Sequence, residues 1–577
     1  MTAPSVPDPR VGDDSSTAAS GTTELTERQR TLRAALVGGV TAIATLATAE
    51  VVSLFLGGIG NPILGVGSAI VDLVPPAFKT LVIDLFDTAD KLVLFICLGL
   101  VVLVFAVAAG ILQSSRGRWG EAVLGLVAVI AIAAAVTRSG ATPVHAIPTL
   151  AGAAIGILTL RALIGRLELW RAADARAAAR SSSGADRTSG SRPLDTPGAV
   201  HPSTFRSFDA LPTFPSSVRP GVERRRFLRL TITIGVVSAL VGAGARIATA
   251  AATAVGDLRA AIRLPRAATP APAIPTDATL DVEGITPFVT PNDAFYRIDT
   301  ALQVPSVDPR DWTLRITGMV EQDVTINFEE LLALPMQESR ITLACVSNEV
   351  GGGLIGTALW LGYPIRDLLA RARPMPGADM VLSTSIDGFT ASTPLEVLLD
   401  ENTDALLAVG MNGEPLPLQH GFPVRMVVPG LYGYVSATKW VVSLEVTRFA
   451  DRVAYWTPRG WSERGPIKLS SRIDTPASRS SVPAGTVVVA GVAWAQHIGI
   501  DRVEVRIDGG EWREAKLARA MTADTWLQWS HEWDAAAGDH EIEVRATDSD
   551  GLVQTEKEAP VAPDGATGLH RVSVSVS

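Results

Sequence analysis

The sequence predicts three folded parts in series: an all-α membrane bundle, an α+β domain and a β-sandwich. Three observations carry this. Apolar residues make up 47% of the 577-residue chain, and before residue 255 they gather into runs long enough to cross a bilayer, which takes roughly 20 residues of helix. Between about 280 and 460, short β-branched runs alternate with helix-like runs. Beyond 465, short strands broken by Asp-Gly turns take over. The formal net charge of −9 points away from nucleic acid as a partner.

Residues 1–30 are rich in Ser, Thr, Pro and Asp without periodicity and read as a disordered tail. Residues 31–170 read as a four-span membrane domain, with spans at Leu32–Leu56, Leu92–Leu112, Ala122–Val136 and Val144–Ile164. Segment 62–86 is apolar but interrupted by Pro75-Pro76 and carries Asp72, Lys79 and Asp84, so it reads as re-entrant or interfacial. Asp87, Asp90 and Lys91 continue that polar border, for which an interfacial role outweighs a ligand site. Residues 171–223 read as a polar linker. Arg116, Arg118, Arg166, Arg171, Arg176, Arg180, Arg187 and Arg192 fall on one side if the N-terminus is cytoplasmic, which is the orientation the positive-inside rule favours.

Residues 224–254 combine Arg224-Arg225-Arg226-Phe227-Leu228-Arg229 with a fifth apolar run. That order resembles a twin-arginine export signal, whereas arginines in any arrangement would serve a plain positive-inside anchor. An odd number of spans puts the rest of the chain outside the cytoplasm. The predicted localisation is therefore a multi-pass cell-membrane protein with a cytoplasmic N-terminus and with its residues after the fifth span extracytoplasmic. The Pro/Ala-rich segment 255–279 reads as a tether.

The α+β domain spans 280–462. Its strands are expected at Trp312–Ile316, Met380–Ser385 and Val424–Val428, and its helices at Phe328–Leu334, Pro364–Ala370 and Pro394–Leu399. Residues 463–577 form the sandwich, with strands at Thr486–Val492, Arg502–Ile507, Leu527–Trp533 and His540–Arg545 and turns at Asp508-Gly509 and Asp550-Gly551. Trp526, Trp529, Trp533, His497 and His531 read as core and sheet packing.

Chemistry concentrates in two places. The chain has two cysteines, and Cys97 lies within a span. Cys345 ends a strand-like run and precedes the glycines Gly351–Gly353. A lone thiol can be a buried hydrophobe, a nucleophile or a soft-metal ligand. The second place is Glu414 to Gly430, where Pro and Gly fix an irregular backbone around His420 and Arg425. Tyr434 to Trp440 then adds hydroxyls, backbone N–H groups and Lys439, a set suited to an anionic ligand such as a phosphate.

Together, Thr342-Leu343-x-Cys345 with Asn348, the His420-Gly-Phe-Pro-x-Arg425 run to Pro429-Gly430, and Lys439-Trp440 resemble the sulfite-oxidase family of molybdopterin-dependent oxidoreductases. Asn292–Arg297 and Trp312–Gly318 resemble that family's opening segment. Gly491–Trp494, Asp501–Val505, Asp508–Gly510 and Arg545–Asp548 resemble its C-terminal dimerisation domain. The resemblance covers about 280–577 and implies a sulfite-oxidase-like molybdopterin domain followed by an immunoglobulin-like β-sandwich. It also implies Mo-molybdopterin as cofactor and a homodimer through the C-terminal domain. Cys345 would be the metal ligand and catalytic residue. His420, Arg425, Ala437, Thr438 and Lys439 would bind the pterin and its phosphate, with Asn292, Tyr296, Arg297 and Asp387 as further lining.

Two departures stand out. Arginines that follow the cysteine in sulfite oxidases are replaced here by Asn348-Glu349-Val350-Gly351. The active-site tyrosine before Met-Asn-Gly is missing from Ala408-Val409-Gly410-Met411. Both disfavour sulfite as substrate. One extra residue also separates Gly430 from Lys439. No haem module is expected, because there is no Cys-x-x-Cys-His and the spans hold only His145. Electron exchange would then need a quinone or a haem-protein partner, with membrane lipid as the other contact. The reading is a membrane-anchored oxidoreductase that transfers an oxygen atom on a small or protein-bound S- or N-oxide. Repair-type reduction of oxidised methionine is one alternative, and an inactive receptor or scaffold another. A transporter is disfavoured by the few spans and the lack of an inverted repeat.

Overall fold

The computed structural model describes residues 17–56, 60–74, 90–137, 142–185, 220–251 and 254–577. The chain divides into two units, Met1–Ala251 and Ala252–Ser577.

The first unit is helical: α1 (Thr17–Phe55), α2 (Pro62–Leu73), α3 (Asp90–Arg116), α4 (Trp119–Val136), α5 (Ile147–Ala185) and α6 (Pro220–Ala251). Among the described residues four stretches are long and apolar enough to cross a membrane, Glu27–Phe55, Val93–Arg116, Trp119–Val136 and Pro143–Arg176, and the fifth run expected on α6 is not one of them. Small residues let the helices approach closely. A Cβ on Gly38 would come within 1.9 Å of the Ala106 carbonyl oxygen, and one on Gly110 within 2.1 Å of the Ala34 carbonyl oxygen. Val37, Leu160, Leu163, Leu167, Trp170 and Phe227 form the centre of the unit. His145 lies in the 3₁₀ turn before α5, where its Nδ1 accepts from the Thr142 amide at 3.0 Å, a helix-end role.

Two boundaries differ from the sequence reading. Helix α1 begins at Thr17, inside the stretch read as a tail, because Glu, Leu, Arg and Gln between 24 and 33 are good helix formers. Helix α5 runs to Ala185 through the Ala/Arg-rich start of the linker for the same reason. The proline pair at 75–76, the side chains of Asp72, Asp84, Asp87, Asp90 and Lys91, and linker residues 186–219 lie outside the described residues.

In the second unit, one five-stranded sheet has the order β2 (Val324–Asn327), β1 (Thr313–Gly318), β10 (Val441–Thr447), β5 (Met380–Ser385), β6 (Thr390–Pro394), with β1 and β10 parallel. A second runs β3 (Gln337–Ala344), β4 (Ile355–Pro364), β7 (Leu406–Met411), β8 (Glu414–Pro415), with β9 (Arg425–Val427) also on β7. Short helices α8 (Phe328–Leu332), α9 (Ile365–Ala372), α10 (Leu395–Leu399) and α11 (Gly433–Ser436) follow strands or turns. In α8, Asn327 and Glu330 form a reciprocal capping box with bonds of 2.8 and 2.9 Å.

The predicted tether is docked. Helix α7 (Ala254–Ala261) carries Arg259, whose Nε donates to the Leu416 carbonyl at 2.8 Å. The Ala268 amide donates to the Met336 carbonyl at 2.8 Å, and Ile262, Leu264, Ala267 and Ile274 pack on the core. The segment's apolar residues recur often enough to lie along β3, which its Pro/Ala composition concealed.

The sandwich joins β11 (Ser470–Thr475), β13 (Gly485–Trp494), β17 (Leu527–Ala535) and β16 (Lys516–Leu517) to a facing sheet of β12 (Ser481–Val482), β19 (His570–Val576), β18 (Gly538–Asp548), β14 (Ile500–Ile507) and β15 (Arg513–Glu514). Asp508 and Gly509 both have positive φ, +50° and +68°, as the Asp-Gly signal requires. Packing crosses the boundary at 462/463: the sandwich keeps its own core around Val489, Trp529 and Val544, while Val492, Trp494 and Trp526 join the hydrophobic core of the preceding domain. Trp526 is 1% exposed. Its amide donates to Thr342 Oγ1 at 2.8 Å and its Nε1 to the Phe288 carbonyl at 2.9 Å.

Trp526→Ala is expected to lower the unfolding free energy of this unit by about 3–5 kcal/mol, read as a shifted urea midpoint in the solubilised protein. A loss below about 1 kcal/mol would mean the sandwich only leans on its neighbour.

Candidate active site

A cavity of about 920 Å³, counting its open mouth, lies in the α+β domain. Cys345 stands at its wall, immediately after β3, and is 8% exposed. Its amide donates to the Leu354 carbonyl at 2.9 Å and its carbonyl accepts from the Asn348 amide at 3.0 Å, so the chain turns sharply there. The Ser347 amide points at Sγ at 3.4 Å. Burial pushes the thiol's pKa up, while the Ser347 bond and the charge of Lys439 oppose that rise. A buried neutral thiol of this kind becomes a thiolate when a metal displaces its proton.

Two buried cations share the cavity. Arg425 is 4% exposed. Its Nη1 donates to the His420 carbonyl at 3.2 Å, its Nε to the Met426 carbonyl at 3.3 Å, and its guanidinium lies 5.1 Å from the Trp360 ring centre. Burial lowers its pKa to about 10. Lys439 Nζ donates to Asp299 Oδ2 at 3.0 Å and to the Gln419 carbonyl at 3.2 Å. Burial draws its pKa down to about 8 against the opposing pull of Asp299. Gly421, at φ +110°, lets the chain pass between these side chains, since a Cβ would meet Arg425 Cβ at 2.9 Å and Lys439 Cβ at 3.1 Å.

His420 is 2% exposed, and burial followed by the charge of Arg425 lowers its pKa to about 4. The ring is therefore neutral at pH 7. Its Nε2 lies 3.0 Å from the Asn292 carbonyl, an acceptor only, so Nε2 carries the proton and Nδ1 the lone pair. Tyr296 is half-buried at the cavity wall, with its phenol pKa pushed up by desolvation. Asp387 and Ala437 also line the cavity.

Three of the expected residues take different positions. Asn292 Nδ2 donates to Glu414 Oε1 at 2.6 Å and its Oδ1 accepts from Asn412 at 2.9 Å, so its side chain braces the β7–β8 turn. Thr438 is fully buried with its hydroxyl 2.7 Å from Ser383 Oγ, and its carbonyl accepts from the Met426 amide, so the phosphate contact expected of its backbone rests on its amide alone. Arg297 lies outside the lining and pairs with Asp299 Oδ2 at 3.0 Å. A motif places residues along a strand or turn, but the alternation of side chains decides which of them face inward.

The sequence reading missed Asp299, whose 5%-exposed carboxylate serves both Arg297 and Lys439. It also missed Ser385, whose buried hydroxyl at the cavity wall has no partner among the described residues, and the aromatic lining that Phe295, Phe389, Trp456 and Trp461 form with Tyr434. Tyr434–Trp461 and Trp456–Trp461 ring centres are 5.9 and 6.2 Å apart. A cluster of aromatics around residue 455 was the one available signal. Among the described residues no group of three or more His, Cys, Asp or Glu could hold a metal, which leaves Cys345 as the single soft donor at the cavity.

Comparison with known proteins follows this geometry. Residues 301–456 match an oxidoreductase molybdopterin binding domain, and residues 470–544 a bacterial Ig domain. The chain is 30% identical to mitochondrial sulfite oxidase of Homo sapiens over 341 residues, which is 50% of this chain and 62% of that protein. It is 30% identical to sulfite oxidase of Gallus gallus over 322 residues, 48% of this chain and 70% of that one. Thus it spans somewhat under two thirds of the human relative's length. The sulfane dehydrogenase SoxCD of Paracoccus pantotrophus aligns over 50% of this chain and 81% of its own at 25% identity, with a TM-score of 0.44.

The histidine shift yields a pH dependence. With a folded pKa of about 4 against 6.5 unfolded, the unfolded chain binds more protons between those values, so stability rises with pH across that window and is lost on acidification. His570 shifts in the same direction, also to about 4. In ligand-free protein, His420→Gln should remove on the order of 2–3 kcal/mol of the loss between pH 6.5 and 4, measured by urea unfolding at both pH values. An unchanged slope would place the imidazole in water.

Proposed function

Because the chain belongs to the sulfite-oxidase family of molybdopterin-dependent oxidoreductases, we propose that it transfers an oxygen atom at molybdenum on a neutral S- or N-oxide substrate. We place this chemistry outside the cytoplasm, in a protein anchored by its apolar helices. The observation that carries the reading is the buried Cys345 thiol in one cavity with buried Arg425 and Lys439.

The cavity fits Mo-molybdopterin. It offers a soft donor for the metal, two cations for an anionic phosphate, and an unpartnered Ser385 hydroxyl that calls for a polar guest. When bound, the cofactor supplies the metal that exchanges an oxygen atom and an electron pair with substrate.

The chain's own residues do the rest. Cys345 Sγ would ligate the metal, steadied by the Ser347 amide. Lys439, Arg425 and the Ala437 backbone would hold the anionic end of the cofactor. His420, neutral and fixed by the Asn292 carbonyl, would present Nδ1 as an acceptor to the pterin. Asp299 orients Lys439 and offsets its charge.

The lining also argues for substrate class. The residues after Cys345 supply no cation: Asn348 Oδ1 is committed to the Leu354 amide at 2.8 Å, and Glu349 follows. Phe295, Phe389, Tyr434, Trp456 and Trp461 instead give the cavity an aromatic wall, with Asp387 beside it. Such a surface desolvates a neutral or cationic molecule cheaply and disfavours an anion such as sulfite. It equally suits the sulfoxide of a methionine side chain, so repair-type reduction is a special case of this reading. A quinone or haem protein would exchange the electrons, and the sandwich would support a homodimer.

Protein purified from its own membranes should contain about one molybdenum and one pterin per chain and turn over dialkyl sulfoxides or amine N-oxides faster than sulfite. Cys345→Ala should keep the pterin and lose at least about a hundredfold in rate. Full activity in that variant, or a preference for sulfite, would sink the proposal.

Arg224 and Arg225 bear on export, since both are exposed while Phe227 is buried and lies 5.6 Å from Trp170 between ring centres. Replacing both arginines with Lys keeps the charge, so a plain anchor would insert as before. A twin-arginine signal would instead strand residues 280–577 in the cytoplasm, readable by protease protection in intact cells.

A further inference from the structure

The turn that carries Cys345 is held from outside its own domain. After Cys345 the chain runs through residues 346–353 and returns at Leu354, which bonds both the Cys345 amide and the Asn348 side chain. Within the turn the Gly352 amide donates to the Glu349 carbonyl at 2.9 Å. A Cβ on Gly352 would meet Asn348 Oδ1 at 2.7 Å, so the turn is closed tightly on itself. The Gly352 carbonyl, facing outward, accepts from Arg472 Nη1 at 2.9 Å.

Arg472 lies on β11 of the sandwich and is 8% exposed. Each of its three nitrogens is engaged: Nε donates to Asp474 Oδ1 at 2.6 Å, Nη2 to Thr286 Oγ1 at 2.9 Å and Nη1 to the Gly352 carbonyl. Asp474 shares its strand face, two residues on, and Asp474 Oδ2 accepts from the Thr286 amide at 3.0 Å. The planar fork is thus locked before it reaches the turn. A second contact comes from β19. His570, whose Nδ1 accepts from the Ile473 amide at 3.0 Å, sits so close to Gly351 that a Cβ there would approach its ring at 2.1 Å. Gly351 has φ +78°, so the turn passes under this imidazole only as glycine.

We propose that Arg472 is a positioning residue for Cys345: the sandwich, through this guanidinium, sets where the thiol stands in the cavity. The proposal rests on the reading of Cys345 as the metal ligand. It gives the sandwich a role in the chemistry that dimer formation alone would not require.

The test uses the full-length protein with Cys97→Ala, so that Cys345 is the single thiol. In protein made without cofactor, iodoacetamide should label Arg472→Gln at least about tenfold faster than the parent, because the turn opens locally. Val489→Ala, a buried sandwich-core change away from the turn, serves as a control of similar thermal stability and should label slowly. In loaded enzyme, Arg472→Gln should lower kcat about tenfold or more with KM little changed. Equal labelling of Arg472→Gln and the control, with unchanged kcat, would overturn the proposal. If the glutamine variant does not fold, Arg472→Lys is read the same way, since lysine keeps the charge against Asp474 but cannot span Gly352 and Thr286 together. Molybdenum X-ray absorption on Cys345→Ala separates the two ideas. Loss of a sulfur neighbour upholds the ligand assignment. No loss removes it, whatever the labelling shows.

Discussion

The cost of burying charge governs this site. Arg425 and Lys439 are enclosed at one cavity wall, and among the described residues Arg425 has no carboxylate partner, only carbonyls and the face of Trp360. Isolated buried cations are expensive, and their pKa values fall accordingly. Asp299 answers one of the two. The remaining positive charge is tolerable because the cavity is built for an anionic guest, and the unpartnered Ser385 hydroxyl points to the same conclusion. Cys345 fits the same logic. Burial keeps it a thiol, and in the proposed ligand role a metal would take the proton's place.

That cavity depends on a core that reaches from the α+β domain into the sandwich. Trp526 reaches from the sandwich to Thr342 on β3 and to Phe288, while Gln496 donates to the Thr342 carbonyl and to the Asp524 carbonyl. Thr342 lies three positions before Cys345. The strand leading to the cysteine and the turn leaving it are therefore both fastened by sandwich residues. A cysteine on a free loop would sample many positions. Here the entropy of ordering the turn is offset by packing and hydrogen bonds that the α+β domain alone does not provide.

Much of this was legible in the sequence, for identifiable reasons. Cys345 stood out because thiols are scarce here, and His420, Arg425 and Lys439 because proline and glycine around them announce a rigid irregular backbone. The strands at 380–385 and 527–533 showed in their β-branched and aromatic runs. Side-chain direction did not show. Asn292 and Thr438 lie in the right segments and face away from the cavity. Asp299, two residues after Arg297, looks like half of a surface pair until the fold brings Lys439 to it from 140 positions away. Trp456 and Trp461 converge on the cavity from beyond the cysteine motif by a path no local pattern encodes. The docked segment 262–274 was hidden by proline, which signals an extended chain and leaves open whether that chain is free or packed.

The order of elements constrains how the site is assembled. His570 opens β19, yet it sits against Gly351 in the cysteine turn, and Arg472 grips that turn from β11. Both strands follow the cysteine in the chain by more than a hundred residues. The turn can reach its final form only after β11 and β19 have been made and packed, so in the proposed ligand role of Cys345 the cofactor would enter a nearly complete unit. A translocation route that threads unfolded chain would separate that assembly from the compartment where the cofactor is made. On the proposed twin-arginine reading of Arg224–Leu228, export of the folded unit would keep them together.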